Sequence, residues 1–587
     1  MALQLQPYRY HPLSSSAQTR ILVLEPSSDV FAPLSCMLEE LRIESDKGFQ
    51  ALSYTWGEPN FTGTLIVNRT HFLRITPNLR DALHRFRLPF NSRRLWVDAV
   101  CINQQDEEEK GRQIPFMDVI YRGASAVLVW LGNYPAQAAC LASIEAYLRL
   151  LGKKREPSSS ERHQADTELL TSLSSLFQLP WFSRRWIVQE VVLNPDVLMC
   201  CCDKELSWVR MASRLESISD PPAGFKPLES MLAMTRLWKR GLFNRNAVEK
   251  TGIFDLLEAF DHFQCCDDRD RLFALGGLAN DVHMGPNAPS QLLPLPVDYT
   301  ISTESLYTRF CADIIEHADK EMKHQMLASG LARCRNSQNE SSLPSWVPDW
   351  RVSAIRKPFF QYKDTKLLDL EYKSNSLLLR GPLTQDATAR VSEVFESLPT
   401  HALSPQEVTC WLRAAGTLWL SKYPKDGLEP YSDFVQTCAE DIGQRFHRCE
   451  IIRMISWVMS TNHFDLLGID DHVSALTEMG NVFKGRSVFY YRSDFIRNPA
   501  FGFGPDNIQV GDALLGVIPP NWRIDSLPAV FVLRDFPHHS SRLVGDAKIV
   551  RSLERHGGDW YSPRSGICRG VVFADEWYSP PTTKYIN

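Results

Sequence analysis

Residues 93–103, RRLWVDAVCIN, contain a nearly continuous apolar run of strand length. Runs of this kind are typical of strands that are buried on both faces of a parallel sheet. Three other stretches have the same character: FQALSYTW at 49–56, SAVLVWLG at 125–132 and DVLMCCC at 196–202. The sequence therefore predicts parallel strands near residues 50–55, 95–101, 125–131 and 196–202.

Helical features lie between these strands. Thr76-Pro77 has the pattern of an N-cap followed by proline at the first helical position, before NLRDALHRFR. The acidic start of QQDEEEKGRQIPFMDVIYRGA suits a second helix, although Pro115 predicts a kink or a restart there. The alternation of strands and helices predicts an α/β fold, with right-handed crossovers and a parallel sheet covered by helices on both faces.

The rest of the chain changes character along its length. GTLIVNRTHFLRIT at 63–76 predicts a hairpin that turns at Asn68-Arg69. After the α/β region the chain is expected to be mostly helical, and then to form a small β-barrel-like domain that contains a helical insert. The predicted organisation is an N-terminal arm at 1–45, the α/β domain at 46–205, the helical region at 206–340, the β-rich domain at 341–587 and the insert at about 404–460.

Composition excludes several classes of protein. The chain has 587 residues and a formal net charge of −5, without a basic stripe, which argues against a nucleic-acid-binding protein. No window of 18 apolar residues is present, so no transmembrane helix is expected. The N-terminal residues lack the pattern of a secretory signal. Because the glycine-rich patterns G-x-x-x-x-G-K-[ST] and G-x-G-x-x-G are missing, an ATP-dependent switch is not expected. No bound cofactor is expected either.

The chain has 14 cysteines, and the adjacent ones at 200–202 and 265–266 lack the C-x-x-C spacing of a zinc site. We expect reduced, mostly buried thiols in a cytoplasmic protein and no metal centre. Cys101 could be a nucleophile, but no histidine or other base lies near it in the sequence, so a buried structural thiol is the favoured interpretation.

Ligands of parallel sheets bind beyond the carboxyl ends of the strands, and three polar groups are predicted to lie there. The first is the Thr55–Gly57 segment, where Gly57 either lets a ligand approach the backbone or simply makes the turn. The second contains Asp98, which either contacts a ligand or caps the next turn. Asn103 and Gln104 follow it as binding residues or as turn and capping residues.

The third group contains Glu190, within SRRWIVQEVV at 183–192. Trp186 precedes it by four residues, so the two share one face of a helix. A partly desolvated acid beside an aromatic ring can bind hydroxyl groups of a ligand or stabilise a developing cation. The alternative is an ion pair between Glu190 and Arg185 or Arg94.

Three blocks of the sequence closely resemble the fungal heterokaryon incompatibility (HET) domain. They are ALSYTWGEP at 51–59, the stretch from LWVDAVCINQQ to VLVWLG at 95–132, and LPWFSRRWIVQEVVL at 179–193. Downstream, DDRDRLFALGGL, VDYTISTESLY, LPSWVPDW and GFGPDNIQVGD resemble segments that follow this domain in full-length HET proteins. The resemblance implies a fungal cytoplasmic protein of non-self recognition and regulated cell death.

HET domains in turn resemble TIR domains, which have a flavodoxin-like parallel sheet. ALSYTWGE is similar to the first TIR strand and its loop, and Trp186 and Glu190 have the spacing of the TIR W-C-x-x-E motif, with Ile187 at the cysteine position. The resemblance implies that Glu190 is the catalytic acid of NAD⁺ cleavage. The residues expected to bind the substrate are Ser53, Tyr54, Thr55, Trp56, Gly57, Asp98, Asn103, Gln104, Arg185 and Trp186.

Two functions follow from this comparison. In the first, the protein is a death effector that cleaves NAD⁺ after it associates with itself or with an incompatible partner protein. In the second, the HET domain is a non-enzymatic signalling module that acts through association alone.

Overall fold

A computed structural model shows how these segments are arranged. It describes residues 5–43, 48–151, 159–215, 226–243, 251–285, 288–333, 343–356, 358–359, 368–373, 376–380, 383–384, 390–398, 404–422, 470–492, 500–517, 529–536, 540–550, 567–568 and 571–573. The chain divides into two compact units, Met1–Thr303 and Glu304–Asn587. The division falls inside the stretch that the sequence predicts to be one helical region.

The first unit is built on a ten-stranded mixed sheet. Its strands are β1 (Gln6–Pro7), β2 (Gln18–Leu24), β3 (Leu34–Arg42), β4 (Gln50–Tyr54), β5 (Gly63–Val67), β6 (His71–Ile75), β7 (Arg93–Trp96), β8 (Val127–Gly132), β9 (Val197–Cys201) and β10 (Lys204–Ser207). They lie in the order β1-β6-β5-β3-β2-β7-β4-β8-β9-β10.

Four of these strands form the predicted parallel core. β4 pairs in parallel with β7 on one side and with β8 on the other, and β8 pairs in parallel with β9. The four strands lie side by side in the order β7-β4-β8-β9. If they are numbered 1 to 4 along the chain, this order is 2-1-3-4, so the connections reverse direction between β4 and β8. The side chains of β8 are all buried, as its apolar sequence predicts.

The second predicted strand, 95–101, is partly wrong. The strand ends at Trp96, and Asp98–Cys101 forms a short helical turn in which the Ile102 amide donates to the Asp98 carbonyl oxygen at 3.2 Å. Val100 and Cys101 are nevertheless fully buried. A short apolar run can enter a core as a strand or as a helical turn, and its pattern alone does not distinguish the two.

Residues 18–42, which the sequence analysis sets apart as an N-terminal arm, form β2 and β3 of the same sheet. β2 pairs antiparallel with β3 and with β7, so the sheet is mixed and not wholly parallel. Arg20 on β2 is buried and forms a bidentate ion pair with Glu109, at 2.6 and 3.0 Å. These strands therefore belong to the core of the unit.

The predicted hairpin is confirmed by the antiparallel pairing of β5 with β6. Asn68 and Arg69, between the two strands, have φ angles of 50° and 62°. This left-handed backbone is the geometry of the tight turns that match the twist of a hairpin.

The helices of the first unit are α1 (Pro77–Phe86), α2 (Asp98–Cys101), α3 (Glu107–Gln113), α4 (Met117–Gly123), α5 (Pro135–Leu151), α6 (Ser159–Leu176), α7 (Ile187–Val192), α8 (Trp208–Leu215), α9 (Lys226–Phe243), α10 (Ile253–Ala259) and α11 (Asp270–Gly276). Thr76 caps α1, because its hydroxyl accepts from the Leu79 amide at 3.4 Å, as predicted. The predicted interruption at Pro115 is a 3₁₀ turn, Ile114–Phe116, between α3 and α4. A small parallel pair follows, β11 (Val282–His283) and β12 (Leu293–Pro294).

The second unit begins with two helices, α12 (Thr303–His317, starting at the boundary) and α13 (Lys320–Leu331), and continues into β-structure. Its strands are β13 (Asp369–Lys373), β14 (Ser376–Arg380), β15 (Leu383–Thr384), β16 (Arg390–Ser397), β17 (Arg486–Arg492), β18 (Ala500–Pro505), β19 (Ala513–Val517), β20 (Ala529–Phe536), β21 (Ser540–Val550), β22 (Ile567–Cys568) and β23 (Val571–Phe573). Eight of them form one sheet, in the order β16-β17-β18-β21-β20-β19-β15-β22.

This sheet curves toward closure, because β16 also pairs with β19 through Arg390 and Ala513. The result is a half-barrel, the coarse form of the predicted β-barrel-like domain. Of the predicted helical insert, residues 405–422 form α14 (Pro405–Lys422), while 423–469 lie outside the described residues. A further helix, α15 (Asp470–Phe483), leads into β17. Among the described residues, no helix has both the length and the apolar composition needed to cross a bilayer.

Candidate active site

Ser53 marks the centre of the candidate site, near the carboxyl end of β4. The side chain is buried, and its hydroxyl donates a short hydrogen bond to Oε2 of Glu190. The Ser53 hydroxyl oxygen in turn accepts from the indole Nε1 of Trp181 at 2.8 Å. Ser53 is thus held in one orientation between a donor and an acceptor. It lies beside the point between β4 and β8 where the strand order reverses.

Glu190 lies on α7, a helix of six residues that are all buried. Only 3% of its side chain is exposed, and its Oε1 is 3.5 Å from Nη2 of Arg184. Burial raises the pKa of the Glu190 carboxyl, whereas the Arg184 charge and the Ser53 hydrogen bond oppose that rise. Glu190 is therefore a desolvated acid with a positive charge beside it.

Arg184 connects this acid to the protein surface. Its side chain is 19% exposed, and its Nη1 has no hydrogen-bond partner among the described residues. The guanidinium also interacts electrostatically with the carboxylate of Asp98 and with the side chains of Tyr54 and Tyr121. The positive charge of Arg184 therefore stabilises the ionised forms of two acids, Glu190 and Asp98, and its Nη1 can still donate a hydrogen bond.

Asp98 is the second acid of the site and begins α2, directly after β7. Its Oδ2 accepts from Nε1 of Trp56 at 2.9 Å, and its Oδ1 accepts from the Ala99 amide at 2.7 Å. Burial raises the pKa of Asp98, and Arg184 and the Trp56 hydrogen bond oppose the shift. The half-buried Asp98 thus accepts from an amide of its own turn and faces the site.

The loop after β4 supplies the outer part of this edge. The Thr55 carbonyl oxygen accepts from Nδ2 of Asn78 at 2.6 Å, and Trp56 contacts Asp98. Gly57 is exposed and has a φ of +74°, a conformation that favours glycine. Its place in the loop is therefore explained by the turn itself. The Thr55–Gly57 segment, Asp98 and Glu190 lie together, as the sequence predicts.

Asn103 and Gln104 do not face Glu190 in this arrangement. The Asn103 amide donates to Glu109 at 2.7 Å, and its side-chain oxygen accepts from the Gln105 amide at 3.3 Å. Nε2 of Gln104 donates to the Asp98 carbonyl oxygen at 2.9 Å. Both residues close the turn after α2, which is the alternative role considered for them.

Arg185 and Trp186 also contact other partners. Arg185 is buried and donates to the carbonyl oxygens of Phe260 and Arg271, at 2.9 and 3.0 Å. Nε1 of Trp186 donates to Asp270 at 2.9 Å. The alternative considered for Glu190 was an ion pair with Arg185 or Arg94, but the arginine that pairs with it is Arg184. Two adjacent arginines look alike in sequence, and the backbone turn at 180–183 decides which one faces the acid.

Arg184 and Trp181 are members of the site that the sequence did not predict. Both lie in the third block, close to Glu190, but their roles depend on contacts with Ser53 and Glu190 that adjacency does not reveal. Among the described residues, no group of three or more His, Cys, Asp or Glu side chains could hold a metal ion. Cys101 is buried, and burial raises the pKa of its thiol to about 12, which fits a structural thiol.

Residues 49–190 match the family model described as heterokaryon incompatibility protein (HET). The matched segment contains Ser53, Trp56, Asp98, Arg184 and Glu190. The match supports the HET resemblance that the three sequence blocks predict.

A relative from Neurospora crassa, heterokaryon incompatibility protein 6, OR allele, is 27% identical to this chain over 402 residues. The aligned region covers 57% of this chain and 58% of the relative, so it spans little more than half of either protein. No solved structure matches the chain. The TIR likeness therefore stays a prediction.

Proposed function

We propose that this protein is a HET-domain effector of fungal non-self recognition and regulated cell death. The proposal is supported by the HET match over residues 49–190 and by the Neurospora relative, whose name assigns it to heterokaryon incompatibility. It acts in the cytoplasm, through self-association of the HET domain or association with an incompatible partner protein. Regulated association suits a protein whose activity kills the cell that makes it.

The biochemical activity is TIR-like cleavage of NAD⁺ by the first unit. The observation that carries it is Glu190, held by Ser53 and Arg184 at the carboxyl end of β4. The strand order 2-1-3-4 matches the start of the flavodoxin-like order, in which ligands bind where the connections reverse direction. Glu190 and its partners lie at that point of the sheet.

The reaction breaks the bond between the nicotinamide nitrogen and C1′ of the ribose. Nicotinamide leaves with the bonding electron pair, C1′ gains cationic character, water adds to C1′, and one proton is released. A desolvated carboxylate next to C1′ stabilises that cation. Ser53 fixes the orientation of Glu190. The buried Nη1 of Arg184, which has no partner within the part of the chain that the structure describes, is a donor for a substrate oxygen.

Substrate must first reach the acid. Glu190 is almost completely covered, and Arg184 is the partly exposed group beside it. Their contact is long for a hydrogen bond, at 3.5 Å, so a substrate oxygen that binds Arg184 competes with a poorly formed hydrogen bond. Binding would then draw the guanidinium away and open the carboxylate to the ribose.

The test is nicotinamide release from NAD⁺ by the purified full-length protein, together with killing of cells that express it. Glu190→Gln keeps the size of the side chain and removes its charge. We expect this variant to lose about 10²–10³-fold in rate, the usual effect of one preorganised electrostatic group. Glu205→Gln, at an exposed acid paired with Arg85, is the matched control and should retain both activities.

The second candidate function is a non-enzymatic association module, and the burial of Glu190 favours it. An acid with 3% exposure and both oxygens in contact with protein groups can serve the fold alone. In that case, well-folded Glu190→Gln protein kills as efficiently as wild type, and no nicotinamide is released in killed cells. That pair of results would overturn the enzymatic proposal.

A further inference from the structure

Residues beyond the HET match hold the segment that leads into α7. The Gln264 amide donates to the Ser183 carbonyl oxygen at 2.6 Å, and the Arg185 amide donates back to the Gln264 carbonyl oxygen at 2.8 Å. The Arg185 side chain donates to carbonyl oxygens of Phe260 and Arg271. Residues 260–271 therefore bind both the backbone and the guanidinium of the chain just before Glu190.

We call these contacts of residues 260–271 with the chain before α7 the clamp. Asp270 adds side-chain contacts to it. Its Oδ2 accepts from Nε1 of Trp186 at 2.9 Å, and its Oδ1 accepts from the hydroxyl of Tyr299 at 2.6 Å. Trp186 immediately precedes α7, and its carbonyl oxygen accepts the amide of Glu190 at 3.1 Å. The residue that Asp270 holds is thus one helical turn away from Glu190.

The same network joins two segments that the sequence analysis singled out without assigning them a role, DDRDRLFALGGL and VDYTISTESLY. Arg269 forms a bidentate pair with Asp267, at 2.9 and 2.7 Å, and donates to the carbonyl oxygens of Tyr299 and Ile301. Lys110 lies 4.0 Å from the centre of the Tyr299 ring. Tyr299 is therefore held from several sides, so it can fix Asp270.

We propose that Asp270 is a positioning residue for the Glu190 site, which holds the Trp186 indole and thereby sets α7 so that Glu190 meets Ser53. The helix needs such an anchor, since it has six residues and no side chain caps its N-terminus. Helices of this length have little stability of their own. The proposal rests on the proposed function only in its activity readout.

The hydrogen bonds of Asp270 to Trp186 and Tyr299 depend on its charge state and should therefore change with pH. Burial raises the pKa of Asp270 to about 6, and Asp267 adds to the rise. The hydrogen bonds from Tyr299 and Trp186 and the charge of Lys110 oppose it. The ionised carboxylate can accept from both Trp186 and Tyr299, whereas the protonated acid must use one oxygen as a donor.

The experiment is fluorine NMR of the full-length protein labelled with 5-fluorotryptophan. The Trp186 and Trp181 resonances are assigned by their loss in Trp186→Phe and Trp181→Phe proteins. Trp186 reports on Asp270, and Trp181 reports on the Ser53–Glu190 contact. The spectra are followed as pH is varied around 6, in wild type and in a Glu190→Gln background that removes the titration of Glu190 itself.

We expect both resonances to shift with a midpoint near pH 6 in both backgrounds, and the shift of both to disappear in Asp270→Asn. Asp298→Asn is the control, since its carboxylate accepts from the Thr300 amide and hydroxyl next to Tyr299, and it should leave both titrations intact. If Trp186 titrates and Trp181 does not move, Asp270 does not position the site and the proposal fails.

An activity readout separates this proposal from the proposed function. We expect Asp270→Asn to reduce nicotinamide release while the protein remains folded. Coupled tryptophan titrations in a protein that never releases nicotinamide would support the positioning role and reject NAD⁺ cleavage. Undiminished release by Asp270→Asn, with Trp181 unshifted, would reject the positioning role alone.

Discussion

At the scale of single residues, the site contains one arginine and two buried carboxyl groups. Arg184 serves two acids, Glu190 and Asp98, whose pKa values are both raised by burial. Desolvation of a carboxyl favours its neutral form, and a nearby guanidinium restores part of the preference for the ionised form. The state of Glu190 therefore depends strongly on where Arg184 lies.

This dependence predicts the effect of Arg184→Gln. Without the guanidinium, the pKa of Glu190 rises further, and the buried carboxylate loses its compensating charge. We expect the free energy of unfolding to fall by about 1–3 kcal/mol at neutral pH. The loss should shrink as pH falls and Glu190 takes up a proton.

Urea unfolding at neutral and at acidic pH measures both effects. Arg112→Gln removes an exposed partner of Glu108 and should cost no more than about 0.5 kcal/mol at either pH. Equal destabilisation by Arg184→Gln at both pH values would contradict the coupling between Arg184 and the charge of Glu190.

A second prediction at this scale concerns the pH dependence of stability. The pKa of Asp270 is about 6 in the folded protein, against an ordinary value of 3.8, so the folded state holds its proton more tightly than the unfolded state. Its contribution to stability is full below pH 3.8 and is lost as pH rises through 6. Asp270→Asn should remove this part of the decline, measured as the melting temperature of the first thermal transition against pH. A decline of unchanged steepness in that variant would show that other groups cause it.

At the scale of elements, short pieces of structure depend on what surrounds them. α7 has six buried residues, and the contacts of Trp186, Arg185 and Ser183 hold its start. The β5–β6 hairpin is different, because its turn is set by the local backbone at Asn68 and Arg69. Because the turn depends on the backbone of two residues, a single substitution there can increase the stability of the hairpin.

The hairpin therefore provides a prediction of increased stability. Arg69 has a φ of 62°, a conformation that costs an L-residue roughly 1 kcal/mol and costs glycine little. Arg69→Gly removes this backbone cost and loses only an exposed pair with Glu25. We expect a gain of about 0.5–1 kcal/mol in urea unfolding. Arg69→Ala serves as the comparison and should bring no gain, since alanine keeps the strain.

At the scale of the whole molecule, the residues that support the candidate site extend beyond the segment that matches the HET family model. The match ends at residue 190, whereas the first compact unit extends to Thr303. The intervening residues supply the acceptors for Arg185 and Trp186. They also accommodate Trp238, whose Nε1 donates to the Asn194 carbonyl oxygen at 2.8 Å.

This arrangement predicts how fragments behave. A fragment of residues 1–205 leaves Arg185 without its carbonyl partners and exposes the apolar surface that α9 covers, so it should aggregate or be digested rapidly by protease. A fragment of residues 1–303 keeps these contacts and should melt cooperatively. Limited proteolysis and circular dichroism compare the two. A stable, cooperative 1–205 fragment would show that the clamp is dispensable for folding.

The amino-acid sequence alone predicts the local and periodic features of the fold. It determined the four core strands, the hairpin at Asn68-Arg69, the Thr76 cap, the break at Pro115 and the meeting of the Thr55–Gly57 segment with Asp98 and Glu190. These features follow from apolar runs, from turn and cap preferences, and from the rule that parallel strands place their carboxyl ends at one edge.

The tertiary structure selects between residues that look equivalent in the sequence and brings distant partners together. It placed β2 and β3 within the sheet, ended β7 at Trp96, and selected Arg184 over Arg185 as the partner of Glu190. It also directed Trp186 to Asp270, some eighty residues away. The physical reason is that strand pairing and ion pairing across long separations depend on the packed geometry of the whole unit, which no local pattern encodes.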